Sequence, residues 1–539
     1  MRRLAALIGS LLFAIHFVPA FAAEHDHEDS VKVETEVKKG GDEKKNEIPP
    51  EKAVVTNHSV AVGGRSFSYK ATAGTLLIRD DKGKPDASVF YVAYTVDGDA
   101  SKRPVTFLYN GGPGSASIWL HMGSFGPVRV LTESPDATAP APFRVVPNGD
   151  SLLDKSDLVF IDAIGTGFSK GLAKGKDENG KPDKDDENPN KRFWGTDQDI
   201  DAFGRFIQRY ITVNKRWNSP KFLFGESYGT PRSAGLAKWL EDKGIAVNGV
   251  VLLSSIINYA SRLPGLDNDY VNLLPSYAAI AWYHNKLANK PATLEPFLTE
   301  VRNFARGDYA VALNKGQDLT PAERDAIAER MSKYTGLNVT YLKEANLRVS
   351  QPRFRKELMR DDRRTLGRYD GRFEGIDTDA AGETPESDAA DTAIRGAFTG
   401  AFNDYLERDL NYSSDVDYKV SATAILDWDW KHKIRGSQRP VPVPIMGSDL
   451  GDAMRANPHL KVMSANGYFD LATPFFATEY DLSHMDIDAK LRGNLSFTYY
   501  PSGHMVYLNV DALKQFKQDL AAFYDSAARA DRDSGTAKK

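Results

Sequence analysis

Short apolar runs recur along this chain with helical patterns between them, and that rhythm narrows the folds open to it. Val105 to Tyr109, Leu158 to Asp162, Phe222 to Phe224, Val250 to Leu253, Lys461 to Met463 and Ser496 to Tyr499 each suit one buried strand. Thr196 to Val213 and Arg232 to Lys243 repeat apolar residues at the helical period between such runs. Strands alternating with helices predict an α/β chain whose mainly parallel sheet is covered on both faces. Ahead of them, residues 58 to 98 alternate apolar and polar positions around Gly63-Gly64 and Asp81-Lys82-Gly83, the pattern of antiparallel hairpins. These strands and helices define a core over residues 54–258 and 458–525.

Between Tyr259 and Asn457 the rhythm breaks and helices dominate. Thr320, Pro321 and Glu323 form a capping-box start, and Gly336 is the expected stop of that helix. Residues 259–457 therefore read as a mainly helical insertion, a cap of the kind that roofs an active site. The acidic stretch Gly375 to Asp391 and the charged stretch Lys174 to Arg192 read as surface loops. Residues 526–539 read as a flexible tail.

The N-terminus reads as an export signal. Arg2 and Arg3 precede the apolar run Leu4 to Val18, and Ala20-Phe21-Ala22 offers a small-x-small cleavage site, so residues 1–22 are expected to be a signal peptide. Residues 23–53 are rich in Glu, Asp, Lys and His and too polar to bury a core; they read as a disordered linker. Its His25-Asp26-His27-Glu28-Asp29 cluster is read as a solvated tail, since nothing downstream supplies a paired metal ligand. The 539 residues include no cysteine, which excludes disulfides, thiolate metal sites and a cysteine nucleophile. An exported chain of this size without cysteine points to a bacterial periplasmic or secreted protein. A net charge of −4 gives no bulk attraction to nucleic acid. No later segment reaches spanning length without charge, so no integral membrane segment is expected after cleavage.

Gly225-Glu226-Ser227-Tyr228-Gly229 is the one G-x-S-x-G of the chain. It lies between a strand-like run and a helical pattern, the setting in which a serine is held on a sharp turn with its hydroxyl exposed. A serine hydroxyl needs a base, usually a histidine oriented by a carboxylate. His504 follows the last strand-like run in Gly503-His504-Met505-Val506, and Asp470 follows the run before it in Asn466-Gly467-Tyr468-Phe469-Asp470. Ser227, Asp470 and His504 thus stand in Ser…Asp…His order as candidate nucleophile, acid and base. Asn110-Gly111-Gly112-Pro113-Gly114-Ser115 follows an earlier strand and could bring backbone N–H groups close to an oxyanion. It lacks the Lys-Ser/Thr of a P-loop, Gly165-Thr166-Gly167 lacks the third glycine of a dinucleotide fingerprint, and no H-E-x-x-H occurs. No metal or cofactor is expected.

Together, Asn110 to Ser115, Ile161 to Ser169, Gly225 to Gly229 and Gly503 to Val506 resemble the signature blocks of the serine carboxypeptidases, peptidase family S10. The resemblance implies an α/β-hydrolase fold with a helical cap and removal of C-terminal residues from peptides through an acyl-enzyme. It further implies a triad of Ser227, His504 and Asp470, oxyanion donors at the amides of Gly112 and Tyr228, and substrate-carboxylate binding by Asn110 and Glu226. Two positions depart from the family pattern: Leu108 stands where a tryptophan is usual, and Ser124 where a glutamate is usual. Ser124 is expected to donate a hydrogen bond in place of that glutamate. An esterase or acyltransferase on the same triad is the alternative, and a non-catalytic binding protein on this fold is a third. Oligomeric state cannot be read from the sequence.

Overall fold

The structure, a computed structural model, describes residues 48–175 and 184–529. The expected signal peptide, residues 23–47 of the expected linker with the His25–Asp29 cluster, part of the 174–192 loop and the end of the tail lie outside the described residues.

Among the described residues the main sheet has these longer strands in chain order: β1 Ala53–Val62, β2 Arg65–Arg79, β3 Pro85–Val96, β4 Val105–Tyr109, β5 Asp157–Ile161, β6 Lys221–Glu226, β7 Gly249–Leu253, β8 Lys461–Gly467 and β9 Leu495–Tyr500. In space they run β1-β2-β3-β5-β4-β6-β7-β8-β9, and the short strand Lys170–Gly171 pairs with β3. The first three strands and the β3–β5 pair are antiparallel, and every pair from β5 onward is parallel. Gly63 and Gly64 both take positive φ at the β1–β2 turn, where a side chain would be strained.

Two apolar layers cover the sheet. On one face Phe203, Phe206 and Tyr210 of the helix Thr196–Val213 pack with Leu236 and Leu240 of Gly229–Asp242. On the other, Met122 packs with Leu513, Phe516 and Leu520 of the helix Val510–Arg529. A third core joins the insertion helices Asn268–Tyr283 and Leu294–Phe304 to Tyr468, Phe469 and Phe475 on the loop after β8. The capping box at Thr320 and the left-handed Gly336 stop bound the helix Pro321–Thr335 as the sequence indicates.

Three boundaries differ from expectation. The helix Gly447–Ala456 belongs to the hydrolase core and not to the insertion: Leu450, Ala453 and Met454 pack in the same layer as Leu236 and Leu240. Residues 51–53 of the linker are bound to the sheet, since Glu51 accepts the Leu77 amide at 2.9 Å and the Lys52 amide donates to Thr75 Oγ1 at 3.1 Å. Nor does the chain loosen at 526: the last helix runs on to Arg529 with Ala527 buried in the core.

Candidate active site

Ser227 sits between β6 and the helix Gly229–Asp242 with φ 59°, in the left-handed region that few non-glycine residues adopt. Its amide is held by the Leu253 carbonyl at 3.0 Å, and its carbonyl accepts Thr230 N–H at 2.8 Å. The flanking glycines are required by space. A Cβ at Gly225 would lie 2.0 Å from the Gly229 carbonyl oxygen, and one at Gly229 would lie 2.8 Å from that of Tyr109. The sequence thus forms the strained turn that exposes a serine at the carboxyl end of a parallel sheet.

Asp470 and His504 arrive on the loops after β8 and β9. His504 Nδ1 lies 2.8 Å from Asp470 Oδ2, and both side chains are buried. Asp470 also accepts the amides of Ala472 and Thr473 at 2.7 and 2.9 Å and the Thr473 hydroxyl at 2.6 Å. Burial disfavours the imidazolium, but the charge and hydrogen bond of Asp470, with Glu226 behind them, raise the His504 pKa above its usual value. Ser227 and His504 line one cavity of about 380 Å³ with no hydrogen bond yet between them. Such gaps close in many enzymes only when substrate binds.

The glycine loop lies against the residue after the serine. A Cβ at Gly111 would stand 2.2 Å from the Tyr228 amide nitrogen, so only glycine lets the two backbones approach. Among the described residues the amides of Gly112 and Tyr228 donate no hydrogen bond, which leaves both free for a ligand. Asp162, in the block Ile161 to Ser169, fixes this loop. Its carboxylate accepts Ser117 N–H at 2.8 Å and the Tyr418 hydroxyl at 2.7 Å, and burial pushes its pKa up to about 6. A strap from the insertion then closes over the loop, with Ala116 N–H donating to Val420 and Ala422 N–H to Gly114.

Asn110 and Glu226 also line the cavity. Asn110 accepts the Leu120 amide through Oδ1 at 2.9 Å, and its carbonyl accepts from Arg232, itself paired with buried Asp199 at 2.6 Å. Glu226 is buried with Oε2 unpartnered; desolvation, only partly offset by His504 and the neighbouring Tyr507 and Asn110, pushes its pKa up to about 7. Ser124 does not take the expected role. It is fully buried, its hydroxyl donates to the Leu120 carbonyl at 2.5 Å, and it does not line the cavity. Leu108 is a core residue of β4. Tyr507 packs against Gly123, the residue before Ser124: a Cβ on Gly123 would meet its ring at 2.4 Å. Its hydroxyl has no hydrogen-bond partner, and burial, with Glu226 nearby, raises its pKa.

Sequence reasoning missed Tyr507 and the insertion's share of the cavity, chiefly Arg368, Tyr369 and Arg395. Tyr507 is three residues beyond His504 and could have been noted for that nearness. The insertion residues carry no motif that would single them out. Among the described residues no group of His, Asp and Glu is arranged to hold a metal ion.

The sheet order, the serine turn and the Asp470–His504 pair define the class: an α/β-hydrolase-fold serine hydrolase. The model of the serine carboxypeptidase family matches residues 65–244, the part that holds the glycine loop, the Ile161–Ser169 block and Ser227, and the function it supports is that of a serine carboxypeptidase. No curated protein sequence matches the chain. Among solved structures, KEX1(DELTA)P, a prohormone-processing carboxypeptidase from Saccharomyces cerevisiae, is similar in fold with TM-score 0.51 and 16% identity, over 85% of this chain and 91% of that one. A proline iminopeptidase from Mycobacterium smegmatis also matches, with TM-score 0.34 and 12% identity, over 88% of this chain and 99% of that one.

Proposed function

We propose that the protein removes C-terminal residues from peptides in two acyl-transfer steps. Ser227 Oγ attacks the last peptide carbonyl while His504 Nε2 takes its proton. The amides of Gly112 and Tyr228 receive the oxyanion. His504, as imidazolium beside Asp470, then gives its proton to the departing amine. Water, activated by the same imidazole, attacks the Ser227 ester, and the shortened peptide leaves. Asp470 holds the ring in the tautomer that presents Nε2 to the serine and stabilises its charged form.

The observation that carries this reading is one cavity lined by a serine at φ 59°, by Gly112 and by His504, whose ring is paired behind it with buried Asp470, while the undonated Tyr228 amide lies against the glycine loop. Asn110 and protonated Glu226 are the proposed donors to the substrate carboxylate. With serine at 124 this recognition has one carboxyl fewer than the family pattern, and the inward turn of the Ser124 hydroxyl supplies no donor in its place, which favours an esterase or acyltransferase as the second reading. Labelling with a fluorophosphonate tests the core of the proposal. Ser227 should be modified, and Ser227→Ala should fold but neither label nor hydrolyse; labelling at Ser115 or Ser502 would overturn the assignment.

Export to the periplasm or beyond is part of the same proposal and rests on Arg2, Arg3 and the run Leu4 to Val18. Among the described residues no helix is long and apolar enough to cross a membrane. N-terminal sequencing of the mature protein should begin at residue 23, and a chain that keeps Met1 would contradict cleavage.

A further inference from the structure

The catalytic cavity contains two arginines from the insertion, Arg368 and Arg395. Arg395 is spoken for: its guanidinium pairs with Asp391 at 2.6 Å. Arg368 is different. Its backbone amide is anchored by Asp388 at 2.8 Å, yet among the described residues its side chain makes no ion pair with any carboxylate. It is half-buried and its guanidinium lies over the Tyr369 ring at 5.4 Å, so a cation stands at the wall of a concave site without a carboxylate in direct contact with it. A half-buried guanidinium without a carboxylate partner keeps N–H donors available to an anionic ligand.

The position of Arg368 says which part of a ligand it would meet. The next residue, Tyr369, accepts the His504 amide through its carbonyl at 2.6 Å and tilts its ring over the imidazole at 5.1 Å between centroids. Arg368 is also close enough to oppose the protonation of His504. The imidazole is the group that protonates the departing amine, so this wall flanks the residue being released. That residue always bears an α-carboxylate when the substrate is a free-acid peptide. A guanidinium offers it two parallel N–H donors, which Asn110 cannot.

We propose that Arg368 is a specificity residue that binds the α-carboxylate of the residue being released, supplementing Asn110 and Glu226 where Ser124 has turned away. The proposal rests on the carboxypeptidase reading, so its test includes an arm that needs no peptide cleavage. The first arm compares kcat/KM for matched acyl-dipeptide acids and amides in wild type, Arg368→Gln and Arg368→Lys. Arg368→Gln should lower the acid-to-amide ratio at least ten-fold, mainly through KM for the acid, and Arg368→Lys should recover part of it. An equal loss on acid and amide would mark a structural role and overturn the proposal, as would an unaltered ratio. Substrates ending in Asp or Glu form a further comparison, and a loss confined to them would show that Arg368 reads a side chain instead.

The second arm measures inhibition of aryl-ester hydrolysis by the same dipeptide acid and amide. The acid should inhibit wild type at least ten-fold better than the amide, and Arg368→Gln should erase that difference. If no peptide is cut but the acid-selective inhibition disappears with Arg368, the carboxypeptidase reading fails while the anion site stands. If peptides are cut and the selectivity is indifferent to Arg368, the anion site fails alone.

Discussion

Tyr369 accepts the His504 backbone amide at 2.6 Å, and its ring leans over the imidazole, so a residue of the insertion fixes the base of a site built on the sheet. The neighbouring contacts strengthen the joint. Gly503 N–H donates to Asp370 Oδ2 at 3.0 Å, and Asp370 is paired with Arg372 at 2.6 Å in a buried salt bridge. The insertion is thus a bolt across the histidine loop as well as a roof.

Gly503→Ala tests that bolt. A Cβ at this position would lie 2.4 Å from both the Asp370 Cβ and the Tyr369 carbonyl oxygen, so one loop has to move. The expected cost is about 1–3 kcal/mol of stability, in the range for overpacked sites. Displacement of the imidazole should also lower kcat by about 10²-fold, the scale of a 1 Å misplacement. Thermal melting and ester turnover measure the two effects; full activity with an unaltered melt would show that the loop tolerates the side chain.

Glu226 sets a pH dependence. Its pKa is raised from 4.5 to about 7 in the folded protein, chiefly by burial. A carboxyl raised in this way favours the folded state below pH 4.5 and loses that contribution as pH rises through about 7. The groups facing it are His504, Asp470, Tyr507 and Asn110. Glu226→Gln should therefore gain on wild type between those pH values by up to about 3 kcal/mol. Because the Glu226 charge also supports the His504 imidazolium, the acid limb of kcat should move to lower pH in the variant. Denaturant titrations and pH–rate profiles read these shifts, and parallel curves for the two proteins would show that Glu226 is ionised throughout.

His432 is a clamp outside the cavity. Its ring lies between Asp197 at 2.6 Å and Asp449 at 3.0 Å, joining the end of the strap to two core helices. Burial opposes its charge, but the two carboxylates raise its pKa to about 9. A histidine raised from 6.5 stabilises the fold fully below pH 6.5 and ceases to do so above about 9. After allowance for solvent screening, His432→Ala should cost about 1–2 kcal/mol more at pH 6 than at pH 9.5. A gap that stays constant across that range would assign the ring to packing alone.

Within the triad the roles differ. His504→Ala should cost nearly as much as Ser227→Ala, because the hydroxyl then has no base. Asp470→Asn should lower kcat by on the order of 10⁴-fold, through the wrong tautomer and an unsupported imidazolium. If Asp470→Asn were almost neutral and Asp481→Asn abolished turnover, the acid would be misassigned.

Most of the sheet and the reacting residues could be read from the sequence because each is written locally. The strands are short apolar runs, Ser227 lies in a pentapeptide whose glycines have steric reasons, and Asp470 and His504 each follow a strand in order. Arg368 and Tyr369 could not be found in this way. They meet His504 across 136 and 135 residues of chain, and only the docked insertion brings them there. The orientation of Ser124 is not legible in sequence, because its hydroxyl turns back to Leu120 in the preceding helical turn. The helix Gly447–Ala456 reads as part of the insertion in sequence because its apolar stripe looks the same whether a sheet or a cap covers it.

The central claim is that Ser227 opens the last peptide bond of a free-acid peptide. Incubation of such a peptide with wild type and with Ser227→Ala, followed over time by mass spectrometry, tests it most directly. Wild type should generate a ladder of products that shorten one residue at a time from the C-terminus, and Ser227→Ala should leave the peptide intact. Cleavage at internal or N-terminal bonds, or an intact peptide under conditions where an aryl ester is turned over, would contradict the account.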